Sequence, residues 1–332
     1  MAAPHAKTPA VWSGEFIRLT NGGGQSCTFE YTQNAIHFKG FVECFCMNCA
    51  EFSDLDSYIE QCNASSDELC GAAHDASAPP TIDDMHVSIA FGARADQHDG
   101  WQTIRGRLGA LFDAHFTTFE VGPKEGLCML QGELVADTRG SKEVVRNHLM
   151  MFDSDSGMSL DDLQQRVMAL GLYACIWTTH SHGKDETTIP EDELLRWARK
   201  GRFDLTGEDA QLADYLTTVK GYDQRIADSI TSVEKRLERG GMKYVVHHAP
   251  MTKARVLLVL NRPFEFIRSD MTQAACIEEW KAVYKNVGDA LGLVYDVKCQ
   301  DPARLFYVPR RPRGSNEEDY EIRWCDGATL CH

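Results

Sequence analysis

One short segment limits the fold more than any other feature of the chain. Residues 254–260 read Ala-Arg-Val-Leu-Leu-Val-Leu, and an extended strand with this sequence is apolar on both of its faces. A strand of this kind needs cover above and below, which only the interior of a layered sheet provides. The segment therefore predicts the central strand of a sheet.

Composition places the chain among globular proteins. It has 332 residues, of which 43% are hydrophobic and 25% are charged, and these values exclude wholesale disorder. No apolar run approaches the roughly 18 residues of a membrane span, so we expect no membrane partner. The 12 cysteines are scattered, and we interpret most of them as reduced, buried thiols of a cytoplasmic protein.

Charge is unevenly distributed along the chain. The formal net charge is −15, which argues against a protein that coats nucleic acid non-specifically. However, residues 240–313 contain 12 Lys and Arg against 7 Asp and Glu. This basic segment indicates a local site for a polyanion, with chance clustering as the alternative.

The patterning predicts an α+β fold in which strands and helices alternate from Val144 onward. We expect an N-terminal α/β module at residues 1–143, a second module at 144–313 and a C-terminal tail at 314–332. Within the second module, residues 183–240 form a long, mostly helical insertion. Without that insertion, the element order is similar to a split β-α-β core with an antiparallel sheet. The individual helices predicted lie at Trp101–Phe112, Asp223–Arg239 and Thr272–Leu291, with a further helix that Ser159 caps and Gly171 ends. The strands predicted include Glu15–Leu19, Ser26–Tyr31, Val144–Phe152, Leu172–Thr178 and Leu293–Tyr295.

The strongest chemical signal is Asp153-Ser154-Asp155, at the end of a predicted strand. Residues two apart on a strand share a face, and two adjacent carboxylates repel each other unless a cation lies between them. Magnesium suits such a pair. The alternative is a solvated turn that caps the following helix.

A third carboxylate, Asp296, follows the predicted strand Leu293–Tyr295. Two-metal nucleotidyl transfer uses acidic ligands from different strands, so Asp153, Asp155 and Asp296 are the candidate catalytic residues. Asp301 is a competing candidate, although Asp301-Pro302 is more typical of a turn.

Cationic residues near these positions are candidates for holding a triphosphate. Lys253 and Arg255 share one face of the central strand, and such charges are costly there unless they meet an anion. Arg304 begins the last predicted strand. The run Arg310, Arg311 and Arg313 is a candidate contact to the template backbone, with a solvated tail as the alternative.

Two histidines and a serine end the second strand. His180, Ser181 and His182 are placed to donate hydrogen bonds to a phosphate, and His-x-His also suits a metal. Separately, the cysteines of the N-terminal module, with His74, form a candidate zinc site whose alternative is buried or loop thiols. These cysteines are Cys44, Cys46, Cys49, Cys62 and Cys70.

Together these motifs resemble the archaeo-eukaryotic primase superfamily, in its phage- and plasmid-borne primase-polymerase branch. Met150–Asp155 resembles its first motif, Thr178–His182 its second and Tyr295-Asp296 its third. Lys253–Pro263 and Asp301–Pro309 are similar to its basic strand and to the segment that ends the domain. The resemblance covers about residues 144–309, half of the chain.

The resemblance implies an RRM-like catalytic sheet with an N-terminal α/β module packed on it. It implies template-directed synthesis of primers or DNA from nucleoside triphosphates on single-stranded DNA, with two Mg²⁺ or Mn²⁺ ions. Asp153, Asp155 and Asp296 would bind the metals, and His182, Lys253 and Arg255 would touch the triphosphate. It also implies a prokaryotic, phage or plasmid context, where a separate replicative helicase is a candidate partner.

The sequence is also compatible with two other functions. The first is a metal-dependent phosphoester hydrolase that uses His180, His182 and the Asp153–Asp155 pair. The second is a replication-origin binding protein whose catalytic core is silent. The chain contains no Gly-x-x-x-x-Gly-Lys-Ser/Thr sequence, so no helicase of that type is fused within it.

Overall fold

A computed structural model of the chain describes residues 16–20, 26–30 and 81–332. Strands β1 (Phe16–Thr20) and β2 (Ser26–Glu30) pair antiparallel, close to the bounds that the sequence predicts for them. The candidate zinc residues, at positions 44–74, lie outside the described residues.

A five-stranded antiparallel sheet contains the candidate site. Its strands lie in the order β16-β9-β13-β8-β7, and β13 lies in the middle, as its two-sided apolar sequence predicts. Residues 254–260 of β13 are all buried. The five strands are β7 (Gly132–Leu134), β8 (Val144–Ser154), β9 (Ala174–Thr178), β13 (Ala254–Glu265) and β16 (Ile322–Cys325).

Two capped helices cover one face of this sheet. Helix α2 (Leu160–Ala169) begins after Ser159, whose hydroxyl accepts from the Asp162 N–H, and α6 (Gln273–Ala290) begins after Thr272. The ring of Phe152 on β8 lies 4.2 Å from that of Tyr284 on α6. Both helices agree with the predicted bounds because their caps and apolar spacing are local signals.

The opposite face of the sheet packs against the segment from residue 81 to residue 130. A four-stranded sheet lies there in the order β14-β6-β3-β4, with α1 (Leu108–His115) following β4. The ring of Phe116, which follows α1, lies 5.1 Å from that of Trp177 on β9. One hydrophobic core contains residues from both sides of the predicted boundary at 143. The strands of the smaller sheet are β3 (His86–Gly92), β4 (Gln102–Arg107), β6 (Cys128–Met129) and β14 (Phe306–Tyr307).

The insertion is α/β rather than mostly helical. A three-stranded antiparallel sheet in the order β10-β12-β11 supports three helices, and its core is separate from the main one. The predicted helix at Asp223–Arg239 is wrong beyond its first turn, because Gly240 and Gly241 have positive φ and allow a hairpin between β11 and β12. The elements are β10 (Lys184–Pro190), α3 (Glu191–Gly201), α4 (Asp209–Thr218), α5 (Gln224–Ala227), β11 (Ser232–Glu238) and β12 (Gly241–Met251).

Three further predictions differ from the structure. The helix predicted at Trp101–Phe112 begins as β4, since residues 102–107 pair with β3, and becomes helical only at Leu108. Leu293–Tyr295 is not a strand, although Tyr295 forms an isolated bridge with Ser154. The predicted tail contains β16, which pairs with β9. The short parallel pair β5 (Glu120–Val121) and β15 (Arg310–Arg311) completes the strands described.

The α+β class that the sequence predicts is confirmed, with several antiparallel sheets and six α-helices in the described residues. Over the same residues, none of the helices is both long enough and apolar enough to span a bilayer.

Candidate active site

The Asp153–Asp155 pair lies where β8 leaves the buried sheet. Asp153 is the second-last residue of β8, and the side chain of Asp153 is 16% exposed against 58% for Asp155. Below them on the same face, Leu149 and Met151 are fully buried. The strand therefore places one shielded and one open carboxylate at the edge of the core.

Asp296 lies beside this pair. The antiparallel bridge between Ser154 and Tyr295 places the next residue, Asp296, opposite Asp153, and residues so placed have Cα atoms about 5 Å apart. The thiol of Cys299 donates to Asp153 Oδ2 at 3.7 Å, and the charges of Asp153 and Asp296 both act on this thiol. The structure thus brings Asp296 next to Asp153, and Asp155 follows Asp153 by two residues at the end of β8.

Arg255 pairs with Asp153 across the two central strands. Its Nε donates to Asp153 Oδ1 at 2.6 Å, and its Nη1 donates to the Tyr307 carbonyl at 2.6 Å. The guanidinium also lies over the rings of Trp177 and Phe306, at 5.7 and 5.0 Å. With 9% of its side chain exposed, Arg255 is held rigidly over the sheet.

The other two carboxylates also meet cations. Lys253 Nζ lies 3.6 Å from Asp155, and Arg304 Nη2 lies 3.3 Å from Asp296. Among the residues that the structure describes, no group of three or more His, Cys, Asp or Glu side chains is placed to hold a metal ion. In this arrangement, basic side chains neutralise the acidic cluster.

A cavity of about 620 Å³ opens next to Asp153. Its walls include five cationic side chains and two carboxylates, so its lining carries a net positive charge. Of the cations, Arg255 and Arg304 are predicted site residues. The charged lining residues are Lys124, Arg139, Asp153, Arg255, Lys298, Asp301 and Arg304.

Sequence reasoning misses three of these cations. Lys124, Arg139 and Lys298 line the cavity, but each is a single basic residue without a motif around it. Only the fold brings Lys124 and Arg139, from the first half of the chain, next to β13. A partial signal exists for Lys298, which lies two residues after Asp296 in the basic segment.

A loop from the first half of the chain, residues 139–141, lines one side of the cavity. Ser141 donates to Asp301 Oδ1 at 2.7 Å, across 160 residues of sequence. In the same loop, the Arg139 guanidinium lies 5.5 Å from the centroid of the buried Trp101 ring. Asp301, the competing candidate ligand, therefore joins this loop to the segment around Ala303, whose N–H also donates to Asp301.

The structure does not bring the second-motif histidines into this cavity. His182 lines a different cavity of about 630 Å³ with acidic residues around it, and its Nδ1 accepts from the Lys253 N–H at 3.3 Å. Burial lowers the pKa of His182, while Asp319 and Glu321 act in the opposite direction. His180 Nε2 bonds to the Gly122 carbonyl at 3.1 Å, and Ser181 is half-buried between them.

The predicted template arginines are mostly engaged within the protein. Arg310 is paired with Glu120 and also donates to two carbonyl groups, and its side chain is only 11% exposed. Arg311 pairs with Glu317 at 2.8 Å. Of the three, only Arg313 is exposed.

Burial raises the pKa of two side chains near the carboxylates, the thiol of Cys299 and the hydroxyl of Tyr284. The thiol of Cys299 has its pKa raised to about 12, first by burial and then by the charge of Asp153. The hydroxyl of Tyr284 has its pKa raised by burial and donates to the Met151 carbonyl at 2.6 Å. Both groups therefore stay neutral, and the carboxylates supply the negative charge of the site.

Chemically, the site combines the neighbouring carboxylates of Asp153 and Asp296 with a cavity suited to a polyanion. Comparison of the chain with protein-family models, curated proteins and solved structures found no match. The placement of these side chains therefore carries the functional argument.

Proposed function

We propose that this chain is a template-directed nucleotidyltransferase, a DNA primase-polymerase that makes primers or extends DNA. The observation that carries the proposal is the approach of Asp296 to Asp153, two residues before Asp155, where Asp153 lines a cavity with five cationic side chains. Carboxylates from separate segments are the usual ligands of catalytic divalent ions. Grouped Lys and Arg side chains are the usual partners of a triphosphate.

We infer that the five-stranded sheet is the RRM-like catalytic module of this enzyme. In support, β8, α2 and β9 are followed, after the insertion, by β13 and α6, and all strand pairs in the sheet are antiparallel. Arg166 on α2 donates to the Leu291 and Gly292 carbonyls at the end of α6, so the two helices lie on the same face. The carboxylates project from the other face.

Magnesium or manganese ions are the cofactors that this function implies. The side chains of Asp155 and Asp296 are 58% and 38% exposed, so hard oxygen ligands are open to solvent beside Asp153. Two carboxylates with substrate phosphates suffice for Mg²⁺, so the residues fit it in donor chemistry. Bound there, such ions lower the pKa of an attacking hydroxyl and neutralise phosphate charge.

The residues of the chain itself have distinct roles in this proposal. Lys124, Arg139, Lys298 and Arg304 line the cavity and would bind the triphosphate of the incoming nucleotide. Arg255 balances Asp153 when no metal is bound and keeps the strand ends in place. The template is single-stranded DNA, and a separate replicative helicase is the proposed partner.

A primer-extension assay with labelled deoxynucleotides and Mn²⁺ tests the proposal. We expect extension by the full chain and its loss in Asp155→Asn, whose exposed side chain makes folding defects small. Asp192→Asn is the matched control, because Asp192 is an exposed carboxylate that is paired with Arg196 on the insertion. Phosphate release without polymer would support the hydrolase instead. Equal extension by both variants would contradict the proposal.

One observation favours the catalytically silent DNA-binding alternative. Asp153 is ion-paired with Arg255 at 2.6 Å, and Arg255 would compete with a metal for the same oxygen. DNA binding without synthesis under either metal would support this alternative. No comparable observation favours the hydrolase, because His180 and His182 make their contacts away from the carboxylates.

A further inference from the structure

The C-terminal end of α3, in the insertion, carries three cationic side chains without a partner. Arg199, Lys200 and Arg202 are all exposed. Within the described residues, none of the three side chains forms a hydrogen bond or an ion pair. This concentration of free positive charge contrasts with the chain as a whole, whose formal net charge is −15.

The opposite end of the same helix is neutralised. Every acidic side chain of its first turn is paired with a cation of the insertion: Glu191 with Lys235 at 2.5 Å, Asp192 with Arg196 at 3.0 Å and Glu193 with Lys220 at 2.9 Å. The first turn of α3 is therefore neutralised within the insertion, whereas the cations at its C-terminal end remain available for an external anion.

Stabilisation of the helix does not account for all of these cations. Positive side chains in the last turn interact favourably with the helix dipole, which explains Arg199 and Lys200. Arg202 is different, because it has φ 58° and ψ 43° and is the only non-glycine residue with positive φ in the described part of the chain. Glycine is favoured at such a helix end, so the capping of the helix does not explain an arginine at this position.

An aromatic ring lies beside the cations. Phe203 is 36% exposed, and its ring contacts that of Trp197 edge to face at 4.8 Å. The ring also lies so close over Gly201 that a Cβ there would meet it at 2.4 Å. Phe203 is thus fixed against the helix while part of its ring remains open to solvent.

We propose that the α3 patch, defined as Arg199, Lys200, Arg202 and Phe203, binds single-stranded nucleic acid. Its cations suit successive phosphates and its aromatic ring suits an unpaired base, which is the combination that single-strand binding proteins use. The patch does not depend on catalysis by the carboxylates.

The insertion that carries the patch is joined firmly to the candidate active site. The Asp223 N–H donates to the Ser156 carbonyl at 2.7 Å, just after Asp155. At the other side, the Gly183 N–H donates to the Met251 carbonyl at 3.0 Å, where the start of β10 and the end of β12 connect to the central sheet. A strand held at the patch is therefore bound to the same compact unit as the carboxylates.

The test is fluorescence anisotropy of a labelled oligothymidylate with the full chain, across a series of salt concentrations. In the variant Arg199→Ala/Lys200→Ala/Arg202→Gly, we expect affinity at low salt to fall by about tenfold or more, and the salt slope to fall by about 2. Each lost phosphate contact removes about 0.7 from that slope for single strands. In Phe203→Leu, we expect about a tenfold loss with an unchanged slope, because only stacking is removed.

A matched control removes three positive charges elsewhere. Arg94, Arg196 and Arg236 are exposed and each is paired with an acidic neighbour, so their triple alanine variant should bind almost as the wild type does. Equal losses in the two triple variants would overturn the proposal, as would wild-type binding by the patch variant. Binding of polyglutamate as tight as that of the oligonucleotide would assign the patch to an acidic protein instead and would also overturn it. Asp155→Asn should retain full binding, which separates this test from that of catalysis.

Discussion

Arg255 and Asp153 lie directly opposite each other on β13 and β8, and the guanidinium Nε donates to Asp153 Oδ1 at 2.6 Å. On the other side of Asp153 lies Asp296, which the Ser154–Tyr295 bridge places there. Asp153 thus has a cation on one side and a carboxylate on the other. A metal ion bound at Asp153 would replace Arg255 as the counter-ion of this carboxylate.

The first prediction concerns the stability of this buried pair. Because only 9% and 16% of the two side chains are exposed, Arg255→Met leaves an unpaired carboxylate in a poorly hydrated place. We expect the free energy of unfolding to fall by about 3–5 kcal/mol, measured by urea denaturation. The control is Arg196→Met, whose ion pair is 71% and 74% exposed and should contribute at most about 1 kcal/mol. If the free energy of unfolding falls by a similar small amount in both variants, the Arg255–Asp153 pair stabilises the fold no more than an exposed ion pair does.

The second prediction concerns the cavity cations that no motif indicates. Because Lys124 and Arg139 line the cavity, Lys124→Ala and Arg139→Ala should each weaken binding of a non-hydrolysable deoxynucleotide by about tenfold, the loss typical of a charged hydrogen bond. Isothermal titration calorimetry measures the dissociation constants. Lys142, an exposed lysine outside the cavity lining, gives the matched control Lys142→Ala. If all three variants bind alike, the cavity is not the nucleotide site.

The third prediction is a pH dependence of stability that arises at His148. Burial, followed by the charge of Arg146, lowers the pKa of His148 from 6.5 to about 4, so the folded state favours the neutral ring. Its contribution is therefore complete above pH 6.5 and is lost as the pH falls towards 4. The loss corresponds to about 3 kcal/mol. His148→Leu removes the titrating group, so urea denaturation at pH 7 and pH 4.5 should show a smaller loss in this variant. Equal losses would exclude His148 as the source.

The fourth prediction concerns the left-handed end of α3. Arg202→Gly relieves a conformation that costs an L side chain about 1 kcal/mol, so the free energy of unfolding should rise by about that amount. Lys200→Gly is the control, because Lys200 lies two residues earlier within the helix, where glycine costs about 1 kcal/mol. The two variants should therefore shift the urea midpoint in opposite directions. A decrease in both would mean that the Arg202 side chain itself stabilises the fold.

Local signals in the sequence predict much of the main sheet and its helices. Ser159 caps its helix as expected, the helix at Thr272–Leu291 forms, and the apolar run at 254–260 forms the central strand. These features are visible in the sequence because each depends on a few neighbouring residues.

Other features depend on contacts that are distant in sequence. Residues 102–107 form a strand because β3 offers a partner, which their own pattern does not reveal. In the insertion, the Gly240-Gly241 pair was an available hairpin signal that the amphipathic pattern of Asp223–Arg239 obscured. Lys124 and Arg139 carry no local pattern at all, so only the folded chain shows that they share a cavity with Arg255.

The insertion has a mechanical consequence for the site. Its two connections to the main sheet run directly through Thr179–Gly183 and Thr252-Lys253, and the Thr179 N–H donates to the Lys253 carbonyl at 2.8 Å between them. Both connections are short, and this hydrogen bond joins them directly to each other. A force applied to the insertion, such as tension on a bound strand, is therefore transmitted to the backbone of Lys253 and so to the side chain that faces Asp155.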